Sequence, residues 1–176
     1  EKGREHAVMI DSVSKRYSLC GARIGCMISK NKSIIANAMK FAHLRLSPPA
    51  LALIASEAAL DAPESYLEDI RKEYAVRKKV ITVALSNIEG VEVSDPMGAF
   101  YCIAKLPVEN AEDFSKYLLT DFSDNGQTIM LAPAAGFYSS PELGINQVRI
   151  AFVLESSKLL RAAEILEKAL KAYSNS

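Results

Sequence analysis

The sequence predicts an α/β fold in two parts that are joined by one long helix. Short apolar runs next to glycines alternate with helical patterns over about the first sixty residues. From Pro63 onward, the apolar residues keep a helical period over about seven turns. After Gly90, short strand patterns and amphipathic helices follow in mixed order. We place the boundary at residues 61–63, which gives parts of 1–62 and 63–176.

The first part is predicted to contain two strands and two helices. Residues 7–10 and 24–28 are short apolar runs, and we expect both to be strands. In residues 32–44 the apolar side chains fall on one helical face. Ser47 precedes two prolines, so we expect its hydroxyl to cap a second helix that ends near Leu60.

The long helix opens the second part and is followed by one sheet. Glu73 and Arg77 form a well-oriented i,i+4 pair on its polar side, and Gly90 stops it. We expect the sheet to carry helices on one face. The predicted strands are residues 91–93, 99–104, 128–131 and 147–153, and the predicted helices are residues 112–122 and 156–172.

Charge and hydropathy exclude several classes of protein. The chain has 21 basic and 21 acidic residues, and this balance argues against a partner with a nucleic-acid backbone. The longest mostly apolar stretch, residues 48–60, is too short to span a bilayer, so we expect no membrane partner. The first residues do not resemble a signal peptide. Because the chain does not begin with Met, we expect it to be a piece of a longer protein.

The cysteines and histidines do not form a pattern typical of disulfides or metals. An odd number of widely spaced cysteines indicates free thiols in a reducing compartment, and we therefore expect a cytoplasmic protein. Neither histidine has a neighbour at a spacing useful for a metal, so we expect no metal site. The residues concerned are Cys20, Cys26, Cys102, His6 and His43.

The segment between the first two predicted strands carries the chemistry. Hydroxyls and a guanidinium in one loop can converge on a dianionic phosphate. A lysine amine beside them can form a Schiff base with an aldehyde, so the combination suits a phosphorylated aldehyde, pyridoxal phosphate. The residue types alone leave open a plain polar loop with an exposed lysine. The pattern is S-x-S-K-x5-G-x-R-x-G, formed by Ser12, Ser14, Lys15, Gly21, Arg23 and Gly25.

Three further blocks follow that loop. They are Pro-Met-Gly-Ala-Phe-Tyr at residues 96–101, Leu-Ala-Pro at 131–133 with Gly-Phe-Tyr at 136–138, and Gln-Val-Arg-Ile-Ala-Phe at 147–152. With the lysine loop, these blocks resemble, in order, those of the class I/II aminotransferases of pyridoxal-phosphate fold type I. The aspartate aminotransferase group is the most similar. Ala134 departs from the family, which usually has glycine after this proline.

The resemblance implies a role for five residues. Lys15 would be the catalytic Schiff-base lysine and would shuttle a proton between the substrate α-carbon and the cofactor, pyridoxal 5'-phosphate. Ser12, Ser14 and Arg23 would bind the cofactor phosphate. Arg149 would bind the α-carboxylate of the amino acid substrate. The residue pattern alone leaves open a structural ion pair for this strand arginine.

Two other candidates have weaker support. Arg45 lies in a segment that approaches the neighbouring subunit's active site in relatives, where it could read a side-chain carboxylate; the alternative is a helix-end arginine that satisfies carbonyls. We expect Tyr101 to be a packing residue.

The resemblance also implies what the chain lacks. In the family, the groups that hold the cofactor ring precede the lysine, and only fourteen residues precede Lys15 here. The chain therefore resembles the C-terminal portion of an aminotransferase. Residues 1–62 would be a remnant of the large cofactor domain with the Lys15 loop, and residues 63–176 the small C-terminal domain led by a connecting helix. We expect this fragment to be inactive alone and the full-length protein to be a homodimer.

The implied function is transamination. The full protein would move an amino group between an amino acid, aspartate or glutamate, and a 2-oxo acid. Two alternatives stay open: a lyase or decarboxylase on the same fold, and a pyridoxal-phosphate-sensing binding domain of a transcription regulator. The upstream residues that would distinguish these functions are not in this chain.

Overall fold

A computed structural model describes residues 3–140 and 142–174 of the chain. The chain divides into two compact units, Glu1–Glu68 and Asp69–Ser176. The predicted boundary lies a few residues before this division, and the nature of the two parts as a large-domain remnant and a small domain stays a prediction. Within the described residues, no helix has both the length and the apolar character needed to cross a membrane.

The first unit contains a β-hairpin and two full helices. Its two strands pair antiparallel, from Val8 opposite Ser29 to Ser12 opposite Gly25. The Asn31 side chain accepts hydrogen bonds from the first amides of the following helix and so fixes where it begins. The elements are β1 Val8–Ser12, the short helix α1 Val13–Arg16, a 3₁₀ turn Cys20–Ala22, β2 Gly25–Ser29, α2 Lys32–Arg45 and α3 Ala50–Leu60.

The predicted cap of α3 was wrong. The helix begins at Ala50, and Pro49 precedes it with an extended ψ of 133°. The Ser47 hydroxyl donates to the Pro48 carbonyl, at 3.2 Å, and caps no helix amide. A residue that precedes proline is disfavoured in the helical region. Ser47 and Pro48 each precede a proline, and neither belongs to a helix.

The first unit buries almost none of its apolar side chains. Within its described residues only Ser56 is buried, whereas Ile10 is 72% exposed, Phe41 73% and Leu44 83%. The burial of apolar surface is the dominant favourable term in folding. This unit therefore lacks a hydrophobic core of its own.

The second unit contains a four-stranded antiparallel sheet. Its strand order is β3-β4-β6-β5, so β6 lies between β4 and β5. The division between the units falls within the long helix α4. The elements are α4 Glu64–Ser86, β3 Glu92–Val93, β4 Tyr101–Lys105, α5 Ala111–Thr120, β5 Ala132–Pro133, a 3₁₀ turn Ala135–Phe137, β6 Gln147–Ala151 and α6 Ser156–Tyr173.

The core of the second unit lies between one face of this sheet and its helices. Alternate residues of β4 and β6, including Cys102, Ala104 and Val148, are buried in one cluster with side chains of α4, α5 and α6. Burial raises the pKa of the Cys102 thiol to about 11, so this cysteine stays protonated. The alternation leaves Tyr101 and Arg149 on the opposite face of the sheet.

The predicted strand at residues 128–131 was wrong. Its alternation is real, because Ile129 and Leu131 pack against the core while Met130 is 82% exposed. However, these residues have no ladder partner, and pairing begins only where Ala132 lies opposite Arg149. The other predicted elements are present with ends that differ by up to three residues.

A cluster of charged side chains connects the loop before β5 to α6 through hydrogen bonds. The Asp124 carboxylate, 17% exposed, accepts hydrogen bonds from Lys168 Nζ and Arg161 Nη2, both at 2.7 Å. Arg161 Nε also donates to Gln127 Oε1 at 2.9 Å. The hydrogen bond from Lys168, followed by that from Arg161, holds the pKa of the Asp124 carboxyl below its ordinary value of 3.8.

We expect Asp124→Asn to lower the free energy of unfolding near neutral pH, because Arg161 and Lys168 lose their common carboxylate. A depressed pKa gives stabilisation that is complete above the ordinary value and is lost as the pH falls below it. Denaturant titrations should therefore show the two proteins converging in acid. Asp69→Asn, which removes only an exposed contact of 3.8 Å to Lys72, is the control and should have little effect. A difference for Asp124→Asn that is independent of pH would contradict this role.

Candidate functional site

The candidate cofactor loop is residues 13–24, which connects β1 to β2. The ladder ends where Ser12 lies opposite Gly25. A Cβ atom at Gly25 would lie 2.9 Å from the Asp11 carbonyl oxygen, closer than real Cβ contacts come. Glycine at this position therefore permits the close approach of the two strands that closes the loop.

The two predicted phosphate-binding hydroxyls lie side by side. Ser12 Oγ is 2.8 Å from Ser14 Oγ, and it accepts a hydrogen bond from the Ser14 amide at 3.1 Å. It also lies 3.1 Å from the Ile24 carbonyl oxygen, on the other side of the loop. The structure thus brings Ser12 and Ser14 together beside the residue that follows Arg23.

Arg23 has a left-handed backbone, with φ of 57°. This conformation is uncommon for residues other than glycine, and such backbone strain clusters at ligand sites. Arg23 Nη1 donates to the Cys20 carbonyl at 2.9 Å. In the described part of the chain its other N–H donors have no partner, so this exposed guanidinium keeps donors for a ligand.

Lys15 lies in α1, immediately after Ser14, and is exposed. The cavity beside the loop, of about 340 Å³, is lined by Ser12 together with residues of α3 such as Ser56, and neither Lys15 nor Arg23 lines it. The predicted cofactor residues therefore share one loop but do not share that cavity.

The loop has the charge that an anion requires. Residues 12–24 contain Lys15, Arg16 and Arg23 and no acidic residue. Asp11 precedes them, and its carboxylate accepts hydrogen bonds from Arg16 at 2.8 Å and from the Ser12 amide at 2.7 Å. Hydroxyl and guanidinium donors in a segment without acids are a donor set that fits a phosphate.

Arg149 lies on β6 in the second unit, and two aromatic rings contact its guanidinium. Its Cζ atom is 4.7 Å from the ring centroid of Tyr101 and 4.7 Å from that of Phe137. No carboxylate pairs with it within residues 3–140 and 142–174. The alternative of a structural ion pair is therefore wrong for the described residues.

The two ring partners of Arg149 could not be identified from the sequence pattern. Tyr101 was expected only to pack, but it contacts the guanidinium from the neighbouring strand. It lies opposite Ala151, two residues beyond Arg149 on the same face. A diagonal contact of this kind could be predicted only with the strand register, which the sequence does not specify directly.

Comparison with known proteins gives consistent matches. The family model described as aminotransferase class I and II matches residues 1–166. An aspartate aminotransferase of Pyrococcus horikoshii is 28% identical over 171 residues, which cover 95% of this chain and 42% of that protein. The chain thus spans about two fifths of the length of the curated relatives it matches.

Solved structures give the same result. The aromatic aminotransferase of Pyrococcus horikoshii has a TM-score of 0.82 and 25% identity, and the match covers 99% of this chain and 45% of that chain. The α-aminoadipate aminotransferase of Thermus thermophilus, solved with N-(5'-phosphopyridoxyl)-L-leucine, has a TM-score of 0.79 and 20% identity, covering 94% and 42%. These relatives and neighbours are aminotransferases, and this chain belongs to the class I and II aminotransferase family.

Proposed function

We propose that the full-length protein is a pyridoxal-phosphate-dependent transaminase. It moves an amino group between an amino acid, with aspartate or glutamate as donor, and a 2-oxo acid. The observation that carries the proposal is the loop of residues 13–24 and its edge, where paired hydroxyls, a guanidinium and an amine occur without an acidic side chain. The name of the aspartate aminotransferase relative supports the choice of donor.

Three groups of the loop would hold the cofactor phosphate. The Ser12 and Ser14 hydroxyls and the Arg23 guanidinium are hydrogen-bond donors, and the charge of Arg23 strengthens its bonds to an anion. Lys15 would bind the cofactor covalently through its amine. When bound, pyridoxal phosphate supplies an electron sink at the substrate α-carbon. The Lys15 amine, once released from the cofactor, would take the proton from that carbon and deliver it to the cofactor, as transfer of the amino group requires.

Arg149 would hold the α-carboxylate of the substrate. Its guanidinium has no carboxylate partner among the described residues, so its charge is available to a ligand. Two parallel N–H···O bonds would orient the carboxylate and hence the α-carbon. A lysine at this position would keep the charge but not the planar fork.

The first unit would function only within a larger assembly. Its exposed apolar side chains, such as Phe41 and Leu44, are surface that the rest of the protein or a second subunit of a homodimer could cover. We therefore propose that this chain alone is inactive, and that the full-length protein works in the cytoplasm without a nucleic-acid partner. No observation on the described residues favours a lyase, a decarboxylase or a regulator's sensing domain over a transaminase.

The first test traps the cofactor on the full-length protein. Pyridoxal phosphate is added, the mixture is reduced with borohydride, and the labelled peptide is identified by mass spectrometry. We expect the label on Lys15 in the wild type, and its loss in Lys15→Ala, because Lys15 directly follows Ser14 in the candidate cofactor loop. Lys32→Ala removes an exposed lysine at the start of α2 and should keep the label. Equal labelling of many lysines, or a label that survives Lys15→Ala, would reject Lys15 as the anchor.

The second test concerns the substrate. In the full-length protein, Arg149→Lys should raise KM for every amino acid substrate, by about tenfold or more, because the bidentate bond to the shared α-carboxylate is lost. Steady-state kinetics with aspartate, glutamate and an apolar amino acid measure this. A change confined to the acidic amino acids would show that Arg149 reads a side chain instead.

A further inference from the structure

We propose that Tyr101 and Phe137 are positioning residues that make Arg149 select a planar carboxylate over a tetrahedral oxyanion. The proposal rests on the function proposed above for Arg149, and it assigns the anion selectivity of that site to its aromatic neighbours. Both rings lie with their centroids 4.7 Å from Arg149 Cζ.

The two rings belong to segments that adjoin opposite edges of β6. Tyr101 belongs to β4, which pairs with one edge of β6. Phe137 ends the 3₁₀ turn that follows β5, and β5 pairs with the other edge. The guanidinium therefore contacts one ring from β4 and one ring from the turn that follows β5.

The position of Phe137 is fixed by its surroundings. Its amide donates to the carbonyl of Ala134 at 2.9 Å, and the Ala134 amide donates to the Gln147 carbonyl on β6 at 2.8 Å. The next residue, Tyr138, donates its hydroxyl to Gln147 Oε1 at 2.6 Å. A Cβ atom at Gly144 would lie 2.5 Å from the Tyr138 ring, so this glycine lets the ring sit against the backbone. The turn is thus attached to the strand that carries Arg149.

Rings over a guanidinium restrict the directions from which an anion can bind. The ring faces carry negative charge, which attracts the cation but repels an anionic oxygen that approaches above or below it. With the rings stacked on its two faces, as we propose, the guanidinium would keep its N–H edge open, and a carboxylate would place both oxygens in that plane. A tetrahedral oxyanion has oxygens outside the plane, and these would meet the rings. Arg149 between two rings should therefore prefer a carboxylate.

The test follows the Arg149 Nε–Hε signal by ¹⁵N NMR in the 176-residue chain. The signal is identified by its absence in Arg149→Lys. Sodium acetate and inorganic phosphate are titrated separately at about pH 6, where both are largely monoanionic, and at constant ionic strength. We expect the wild-type signal to respond to acetate at a concentration about fivefold lower than to phosphate. Its proton should also be shifted upfield by the rings.

The variants assign this preference to the rings. Phe137→Leu and Tyr101→Leu should each reduce the preference for acetate to about twofold or less, and move the Hε signal downfield. Tyr101→Phe keeps the ring and should keep both properties. Phe137 is 55% exposed, so its replacement leaves the core intact, and the methyl signals of buried Leu118 and Leu166 check the fold of every variant.

Two outcomes would overturn the proposal, and they are distinguishable. If acetate shifts the Arg149 signal but the leucine variants keep the wild-type preference, the rings do not set selectivity, and the carboxylate role of Arg149 stands. If acetate does not shift the wild-type signal at any concentration at which phosphate does, the carboxylate role itself fails, and with it both this proposal and the one on which it rests.

Discussion

The pairing of Ser12 with Gly25 is the constraint on which the candidate cofactor site depends. Because Gly25 has no Cβ, the two strands approach closely at the end of the ladder, and the Ser12 hydroxyl lies beside the Ile24 carbonyl. Both ends of the loop are thereby fixed. Binding at a flexible loop is opposed mainly by the conformational entropy that is lost when the loop becomes ordered. A loop with fixed ends has less entropy to lose when its hydroxyls and cations bind one ligand.

The hydrophobic core lies in the second unit, whereas the candidate cofactor loop lies in the first. In the second unit, β6 buries Val148 against the helices and places Arg149 on the other face, so one strand contributes both to the core and to the proposed substrate site. The first unit carries the Lys15 loop but almost no buried apolar residue within its described part. We therefore expect Arg149, the proposed substrate-binding arginine, to have a rigid scaffold within this chain, whereas the candidate cofactor loop depends on surface supplied from outside it.

The sequence was sufficient for the features that depend on local periodicity and motif spacing. It predicted the five long helices, all strands but β5, which it assigned to residues 128–131, and the placement of Ser12 and Ser14 beside one loop. The capping pattern at Ser47 was misleading, because each of the two following prolines disfavours a helical conformation of the residue before it. The sequence also did not predict Phe137 and Tyr101 at Arg149, since those contacts follow from the register of strands that are far apart in the chain. A burial pattern with a period of two fixes which face of a strand is buried, but a shift of the pairing by two residues leaves that pattern unchanged.

The phosphate contacts of the loop can be tested most directly by comparing two aldehydes that differ only in that group. Pyridoxal 5'-phosphate and pyridoxal are titrated against the full-length protein and its Arg23→Ala variant, and binding is followed by visible absorbance. We expect the variant to bind the phosphorylated aldehyde about tenfold more weakly or worse, and pyridoxal as well as the wild type does. An equal loss for both aldehydes, or no loss for either, would contradict a phosphate-binding loop.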